Sequence, residues 1–211
     1  MRPRGYRHLD ELRAAHHARG SDIRRRLAEF AAVPREEYFA ELVYCLLTPQ
    51  SSALNAARAV DALRTAGCWD RPEITAGILR RTSAYIRFHN TKAQRVAEAF
   101  AAFDTIAGKL HSTADARSLR VWLVDNVTGL GWKEASHFLR NIGLRDLAIL
   151  DRHILKNLSH HGVLASIPAA LTPKRYTDIE RRFDRFAAAV GIPMDELDLL
   201  FWSNETGEIL K

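Results

Sequence analysis

One stretch of the chain, residues 127–139, restricts the fold more than any other. It reads VTGLGWKEASHFL, with two glycines one residue apart followed by an amphipathic helical pattern. The preceding residues, ADARSLRVWLVDNV, are also helical in pattern, and Ser112 or Thr113 is predicted to cap them. Gly129 and Gly131 allow positive φ and a close approach of the backbone to a partner. The stretch therefore predicts two helices joined by a tight turn.

The rest of the chain shows the same helical periodicity. Helices are predicted over residues 7–32, 34–48, 51–66, 72–80, 91–103, 151–161, 173–190 and 195–202. No segment alternates apolar and polar residues convincingly enough to predict a strand. No Pro/Gly-rich linker marks a domain boundary, so two lobes would have to share helices. The sequence predicts an all-α fold.

Composition narrows the class of protein. Hydrophobic residues make up 47% of the 211 residues, the formal net charge is +6, and residues 1–35 hold nine arginines against four acidic residues. A basic surface favours nucleic acid or another polyanion. No apolar run approaches the roughly 18 residues of a membrane span. Two cysteines cannot form a four-cysteine zinc or iron–sulfur site. We expect a cytoplasmic protein with no membrane partner.

The glycine turn is a candidate anion site. A helix that begins at a glycine turn presents free N–H groups, which suit a backbone phosphate. A bare G-x-G between helices is more often an ordinary turn. Here, however, Val127 and Leu130 are spaced to clamp the two helices, and Lys133 and Ala135 follow at fixed distances. The pattern G-h-G-x-K-x-A, in which h is apolar, predicts a helix-hairpin-helix whose glycines hold DNA without reading its sequence.

These residues resemble the helix-hairpin-helix superfamily of DNA base-excision glycosylases. Within it, ELVYCLLTPQSSALNAARAVDAL, EASHFLRNIG, DLAILDRHILK and DLLFWSNETGEILK are similar to the archaeal-type 8-oxoguanine DNA glycosylases, over roughly residues 38–211. The resemblance implies two lobes with a DNA cleft between them. One lobe would comprise residues 1–32 and 143–211. The other would comprise residues 33–142 and end in the hairpin at about 115–142.

The resemblance assigns the chemistry to two residues. It implies that Lys133 is the nucleophile and that Asp151, 18 residues later, is the essential carboxylate. A carboxylate stabilises the positive charge that builds on the sugar when an N-glycosidic bond breaks. An amine forms a Schiff base with the opened sugar, which permits β-elimination. A first-turn lysine lies at the positive end of the helix dipole, which favours its neutral form. Asp151 is equally well placed to be a helix N-cap, and the two roles are compatible.

Further contacts follow from the same resemblance. Lys211, the last residue, would read the base, since its terminal carboxylate can accept the N7–H that 8-oxoguanine has and guanine lacks. Trp202 would stack on the extruded base, although an aromatic core residue is the alternative. Gln50 would fill the gap left by that base, or is an exposed loop glutamine. His153 would line the pocket or touch phosphate, or is a surface or capping histidine.

The expected function is excision of 8-oxoguanine from double-stranded DNA by a monomer, followed by strand cleavage at the abasic site. No cofactor is expected to be required. By resemblance, a monovalent cation at the hairpin would bind the backbone carbonyls of Asp125, Val127 and Leu130. Three alternatives stay open: a glycosylase for another damaged or mismatched base, a non-enzymatic helix-hairpin-helix module that only holds DNA, and a helical protein–protein adaptor.

Overall fold

Helices form the whole framework. The computed structural model describes residues 5–113 and 115–209, and no strand occurs in that part of the chain. The all-α prediction is therefore confirmed. Within the described residues the α-helices are α1 (Leu9–Ala31), α2 (Tyr38–Leu47), α3 (Ala53–Ala66), α4 (Pro72–Leu79), α5 (His89–Ala101), α6 (Phe103–Ser112), α7 (Ala116–Asn126), α8 (Trp132–Asn141), α9 (Arg152–His160), α10 (Pro173–Val190) and α11 (Met194–Thr206). Short 3₁₀ helices cover Arg35–Glu37 and Thr82–Ala84.

The chain divides into two compact units. One comprises Met1–Ala32 and Gly143–Lys211, and the other comprises Val33–Ile142. The first unit therefore contains α1 and α9–α11, and the second contains α2–α8. None of the helices in the described residues is long and apolar enough to cross a bilayer.

Helix α2 is the centre of the 33–142 unit. Every residue from Phe39 to Leu47 is buried, and α3, α5 and α8 pack against it. A helix that is apolar on all sides is stable only when it is covered on all sides. Its one buried acid, Glu41, accepts a hydrogen bond from Asn141 Nδ2 at 3.0 Å, which ties α2 to the end of α8. The hairpin helix α8 is thus fixed to the most buried element of its unit.

Helix α11 has the corresponding position in the other unit. It packs against α1, α9 and α10. Residues 147–150, which lead into α9, are all buried and non-helical. Because buried backbone groups must find partners, these residues depend on side chains from neighbouring helices.

The predicted cap of α7 was wrong. Residues 103–112 form a separate helix, α6, so Ser112 is helical and cannot be the N-cap of the next helix. Instead, Asp115 caps α7, and its Oδ2 accepts the Ser118 N–H at 2.7 Å. Hydrogen bonds from the side chain and the backbone N–H of Ser118 hold the pKa of Asp115 below its usual value.

Candidate functional site

The glycine turn joins α7 to α8 as predicted from the sequence. Val127 ends α7, and its carbonyl accepts the Leu130 N–H at 3.1 Å, which closes the turn. Val127 and Leu130 are each 4% exposed. Ala135 is fully buried, and its N–H bonds to Gly131 O at 2.9 Å. The apolar residues therefore clamp the hairpin from inside, while its polar backbone faces outward at the start of α8.

The two hairpin glycines are required for different reasons. Gly129 has φ +96°, and a Cβ there would lie 2.5 Å from Arg95 Cδ. Gly131 has φ −87° and ψ 179°, an extended conformation open to any residue, so the positive φ that the sequence suggested for it is wrong. A Cβ on Gly131 would instead lie 2.9 Å from Glu134 Oε2. Gly131 leaves room for a carboxylate, whereas Gly129 provides a left-handed backbone.

Lys133 lies in the first turn of α8. Its side chain is 30% exposed, and its Nζ is 3.0 Å from Glu134 Oε1. Gly131 is the N-cap, and it has no side chain with which to cap α8. The positive end of the α8 dipole therefore carries no carboxylate or hydroxyl from its N-cap residue, and it lies next to an amine that is partly open to solvent. Sequence reasoning missed the ion-pair partner, although an acid one residue after the lysine was visible in the sequence.

Asp151 is the N-cap of α9. Its Oδ1 accepts the N–H groups of both His153 and Ile154 at 2.8 Å. The other oxygen, Oδ2, takes part in neither bond. The capping role predicted from the sequence is confirmed, and neither capping bond uses the second carboxylate oxygen, so capping does not prevent that oxygen from facing a substrate. Asp151 and Lys133 belong to different units of the chain.

Side chains from α10 and α11 hold the buried segment before Asp151. Glu180 accepts the Ala148 N–H at 2.9 Å, and Asp198 accepts the Ile149 N–H at 3.3 Å. The Tyr176 hydroxyl accepts the Leu150 N–H at 3.2 Å. The same hydroxyl donates to the carbonyl of Ala148 at 2.6 Å. Sequence reasoning missed these three residues. The feature that could have predicted them is the presence of two acids and a tyrosine on helix faces that are otherwise apolar.

Helix α11 brings a polar group to the start of α9. Glu205 accepts from Lys156 Nζ at 2.9 Å and lies 3.7 Å from His153 Nδ1. The hydrogen bond from Lys156 and the charge of that lysine lower the pKa of Glu205. Trp202, three residues earlier, is half-buried. His153 and Trp202 thus belong to the unit that carries Asp151, and their proposed roles toward DNA stay predictions.

Gln50 lies in the turn between α2 and α3, in the unit that carries Lys133. It is exposed and has φ +56°, a left-handed conformation that non-glycine residues rarely adopt. Two basic residues that sequence reasoning missed lie in the same unit. Arg95 packs over Gly129, and Lys92 is a buried lysine whose amine bonds to the Gln50 turn. The sequence feature that could have predicted them is a lysine and an arginine on a helix whose positions 92, 93, 96 and 99 face the core.

Two places in the described residues bring together groups that could bind a cation. The Val127 carbonyl is engaged in the turn, and the cation expected at the carbonyls of Asp125, Val127 and Leu130 stays a prediction. Among side chains of the described residues, His8, Glu11 and His160 bring ligand atoms within 4.8 Å of one another, and all three are exposed. The rings of His8 and His160 stack at 4.1 Å and 14°, so their lone pairs do not converge on one point. Lys211, expected to read the base, lies outside the described residues.

Comparison with known proteins adds to this geometry. A family model described as 8-oxoguanine DNA glycosylase matches residues 23–192. An 8-oxoguanine DNA glycosylase/AP lyase of Korarchaeum cryptofilum is 40% identical, covering 90% of each chain. One from Fusobacterium nucleatum is 35% identical, covering 97% of this chain and 98% of its own. The crystal structure of Methanocaldococcus jannaschii 8-oxoguanine glycosylase/lyase in complex with a 15mer DNA containing 8-oxoguanine has a TM-score of 0.87 at 31% identity, covering 96% of this chain and 99% of that one.

Proposed function

The chain belongs to the 8-oxoguanine DNA glycosylase family, and from this premise we propose that it excises 8-oxoguanine from double-stranded DNA and then cleaves the abasic strand. The observation that carries the proposal is the start of α8. There a partly exposed lysine amine stands in the first turn of a helix whose N-cap is a glycine, which has no side chain to cap it. A module that only grips phosphate needs the open helix end but has no need of the amine.

The hairpin supplies the grip on DNA. The start of α8, where the N-cap is a glycine, and the turn at Gly129 suit a phosphate oxygen, because both charge and geometry favour an anion there. Arg95, packed over Gly129, adds a positive charge beside the same turn. None of these groups reads base identity, so they hold any sequence equally. A lesion must then be recognised by other residues.

The chemistry assigned to Lys133 proceeds in two stages. The neutral amine bonds to the sugar C1′ while the bond from C1′ to N9 of the base breaks, and the departing base takes up a proton. The sugar ring then opens to a Schiff base between Nζ and C1′. Loss of a C2′ proton allows the C3′–O bond to break, and the 3′ phosphate leaves. Before the first stage the Lys133 ammonium must lose a proton, and Glu134 is the carboxylate that already contacts it.

Asp151 is assigned the electrostatic role. Positive charge develops on the sugar as the glycosidic bond lengthens, and a fixed carboxylate stabilises it without having to reorganise. The two capping bonds hold Oδ1 in place, and the neighbouring Oδ2 is thereby oriented as well. This carboxylate is therefore presented rigidly by the start of α9.

The remaining roles complete the proposal. Trp202 stacks on the extruded base, Lys211 takes part in reading it, His153 contacts the DNA near Asp151, and Gln50 occupies the vacated space in the duplex. A monovalent cation at the hairpin carbonyls and a monomeric state are part of the same proposal. The exposed left-handed turn at Gln50 supports its role, because such strain is retained where a side chain must be presented in one direction.

A borohydride trapping experiment tests the nucleophile. A duplex with one 8-oxoguanine is incubated with the protein and sodium borohydride, which reduces a Schiff base to a stable cross-link. We expect a covalent protein–DNA adduct with the wild type and a loss of roughly 10³-fold or more with Lys133→Gln. The matched control is Lys174→Gln, since Lys174 is the second residue of α10 as Lys133 is of α8, and it is exposed.

The outcomes separate the rival functions. Duplex binding without an adduct or a nick would leave a DNA-binding module only. An adduct that persists in Lys133→Gln would move the nucleophile to another amine. Nicking of other lesions in preference to 8-oxoguanine would point to a glycosylase for a different base.

A further inference from the structure

A buried lysine organises the turn that carries Gln50. Lys92, in the first turns of α5, is 2% exposed. Its Nζ donates to Leu47 O and Pro49 O at 2.7 Å each, and to Ser51 Oγ at 3.3 Å. The three protons of a lysine ammonium thus have three acceptors, one on the last residue of α2 and two on the turn that leads to α3. Burying a charged amine is costly, so this lysine occupies a place where an apolar residue would be the simpler choice.

The turn needs an external support of this kind. Leu47 ends α2, where the last carbonyls have no partner within the helix and the dipole favours a cation. Gln50 follows in a left-handed conformation that is unfavourable for a residue with a Cβ. Within the turn, Ser51 N–H bonds to Thr48 O at 3.0 Å, and Ser51 Oγ accepts the Arg87 N–H at 3.1 Å. The Lys92 ammonium therefore links the last residue of α2, Leu47, to Pro49 and Ser51 in the turn.

We propose that Lys92 is a positioning residue for DNA recognition, which fixes the turn of residues 48–51 so that the exposed Gln50 side chain is presented to the duplex in one conformation. The inference rests on the proposed function, because it assigns Gln50 a contact with lesion DNA. Lys92 itself does not touch DNA, since its amine is buried and fully used. It is likewise excluded as a second Schiff-base amine by the same burial.

The positive charge of Lys92 contributes to how firmly its amine holds the turn of residues 48–51. Burial and the neighbouring Arg95 lower the pKa of Lys92 to about 8. Lys133 also lowers it and Glu134 raises it, so these are the charged groups that face the amine from α5 and α8. A neutral amine has two protons for three acceptors. As the pH rises through 8, the turn should therefore lose one of its three hydrogen bonds from Lys92, and the advantage conferred by Gln50 should shrink over the same range, although the fold as a whole gains stability.

A double-mutant cycle tests the coupling. Gln50→Ala, Lys92→Met and the double variant are compared on a duplex with one 8-oxoguanine. Misplacing a contact group by about 1 Å costs up to roughly 10²-fold, so we expect each single variant to lose about 10-fold in kcat/KM, chiefly through KM. If Lys92 acts through Gln50, the double variant loses no more than the worse single variant. Losses that multiply would overturn the proposal.

Two further variants keep the test decisive. Ser51→Ala removes one acceptor of Lys92 and the partner of the Arg87 N–H, and replaces Lys92→Met in the cycle if that variant does not fold. Lys174→Met, on an exposed lysine of the other unit, is the control and should leave kcat/KM within about twofold.

Amide hydrogen exchange separates failure of this inference from failure of the proposed function. In Lys92→Met, exchange of the peptide covering residues 48–53 should rise about 10-fold or more, while the hairpin peptide 127–133 should stay unchanged. Unchanged exchange in residues 48–53 would overturn the positioning role whether or not the wild type excises 8-oxoguanine. Absence of excision by the wild type would overturn the proposed function and leave the exchange result to decide the role of Lys92 in the turn.

Discussion

Helices α8 and α9 begin in opposite ways, although each carries one of the two residues assigned to catalysis. The N-cap of α8 is Gly131, which has no side chain with which to cap the helix. The N-cap of α9 is Asp151, whose Oδ1 accepts two of the first N–H groups of its helix. The open end suits a phosphate of the substrate. The closed end uses its own donors to hold a carboxylate in a fixed orientation.

The difference shows how one structural element serves two purposes. A helix N-terminus always has unpaired donors and a partial positive charge. At α8 that charge lies beside the Lys133 amine, where it attracts the phosphates of DNA. At α9 the Asp151 carboxylate caps the helix end, and the two capping bonds keep that carboxylate in place. Changes at each end should therefore separate binding, chemistry and stability.

The largest expected effect separates the two roles of Asp151. Asp151→Asn keeps a capping oxygen but removes the charge, and Asp151→Ala removes both. We expect both variants to lose roughly 10²- to 10³-fold in excision rate. Stability should fall by about 1 kcal/mol in Asp151→Ala and hardly at all in Asp151→Asn, because asparagine is as good an N-cap as aspartate. Single-turnover excision and urea unfolding measure the two effects.

Two results would contradict this separation. Full activity in Asp151→Asn would mean that the carboxylate serves only as a cap. Equal stability of the alanine and asparagine variants would mean that the two capping bonds at 2.8 Å contribute nothing to the free energy of unfolding.

A smaller effect distinguishes the two hairpin glycines. Gly129→Ala must place a Cβ at positive φ and displace Arg95, so we expect a loss of roughly 1–3 kcal/mol and weaker binding to any duplex. Gly131→Ala has an ordinary φ, and only the carboxylate end of Glu134 must move, so its cost should stay below about 1 kcal/mol. Urea midpoints and affinity for undamaged DNA measure both. A larger loss for Gly131→Ala would show that the space for Glu134 matters more than the left-handed turn.

The smallest effect is a pH dependence that differs between the units. His161, 5% exposed, stacks on Phe186 and Phe201, and burial lowers its pKa. The unfolded chain then binds a proton at this site that the folded chain does not, so stability falls as the pH drops below about 6.5. For Lys92, whose pKa is lowered from 10.5 to about 8, stability rises as the pH increases between those two values.

Urea unfolding between pH 5 and pH 10 checks both directions. His161→Phe should flatten the acid limb and leave the alkaline limb unchanged, and Lys92→Met should do the reverse. If either variant altered both limbs equally, the pH dependence would arise from the net charge and not from these two sites.

Much of the site could be predicted from the sequence because it lies in local spacing. The hairpin, the cap at Asp151 and the all-α fold depend on contacts between residues a few positions apart. The function was predicted from family resemblance, and membership in the 8-oxoguanine DNA glycosylase family supports that prediction. The cap of α7 was misplaced because α6 extends through Ser112, a boundary that periodicity defines poorly.

The chain by itself determined where the helices turn and which residues carry an amine or a carboxylate at those turns. Only the tertiary structure decided which other side chains hold them. Lys92 meets the Gln50 turn across more than 40 residues, and Asp198 meets the segment before Asp151 across 49. Such pairs form because buried backbone groups and buried charges need partners, and any nearby helix can provide them. Sequence spacing shows which buried backbone groups and charges require a partner, and only the packing of the helices determines which residue that partner is.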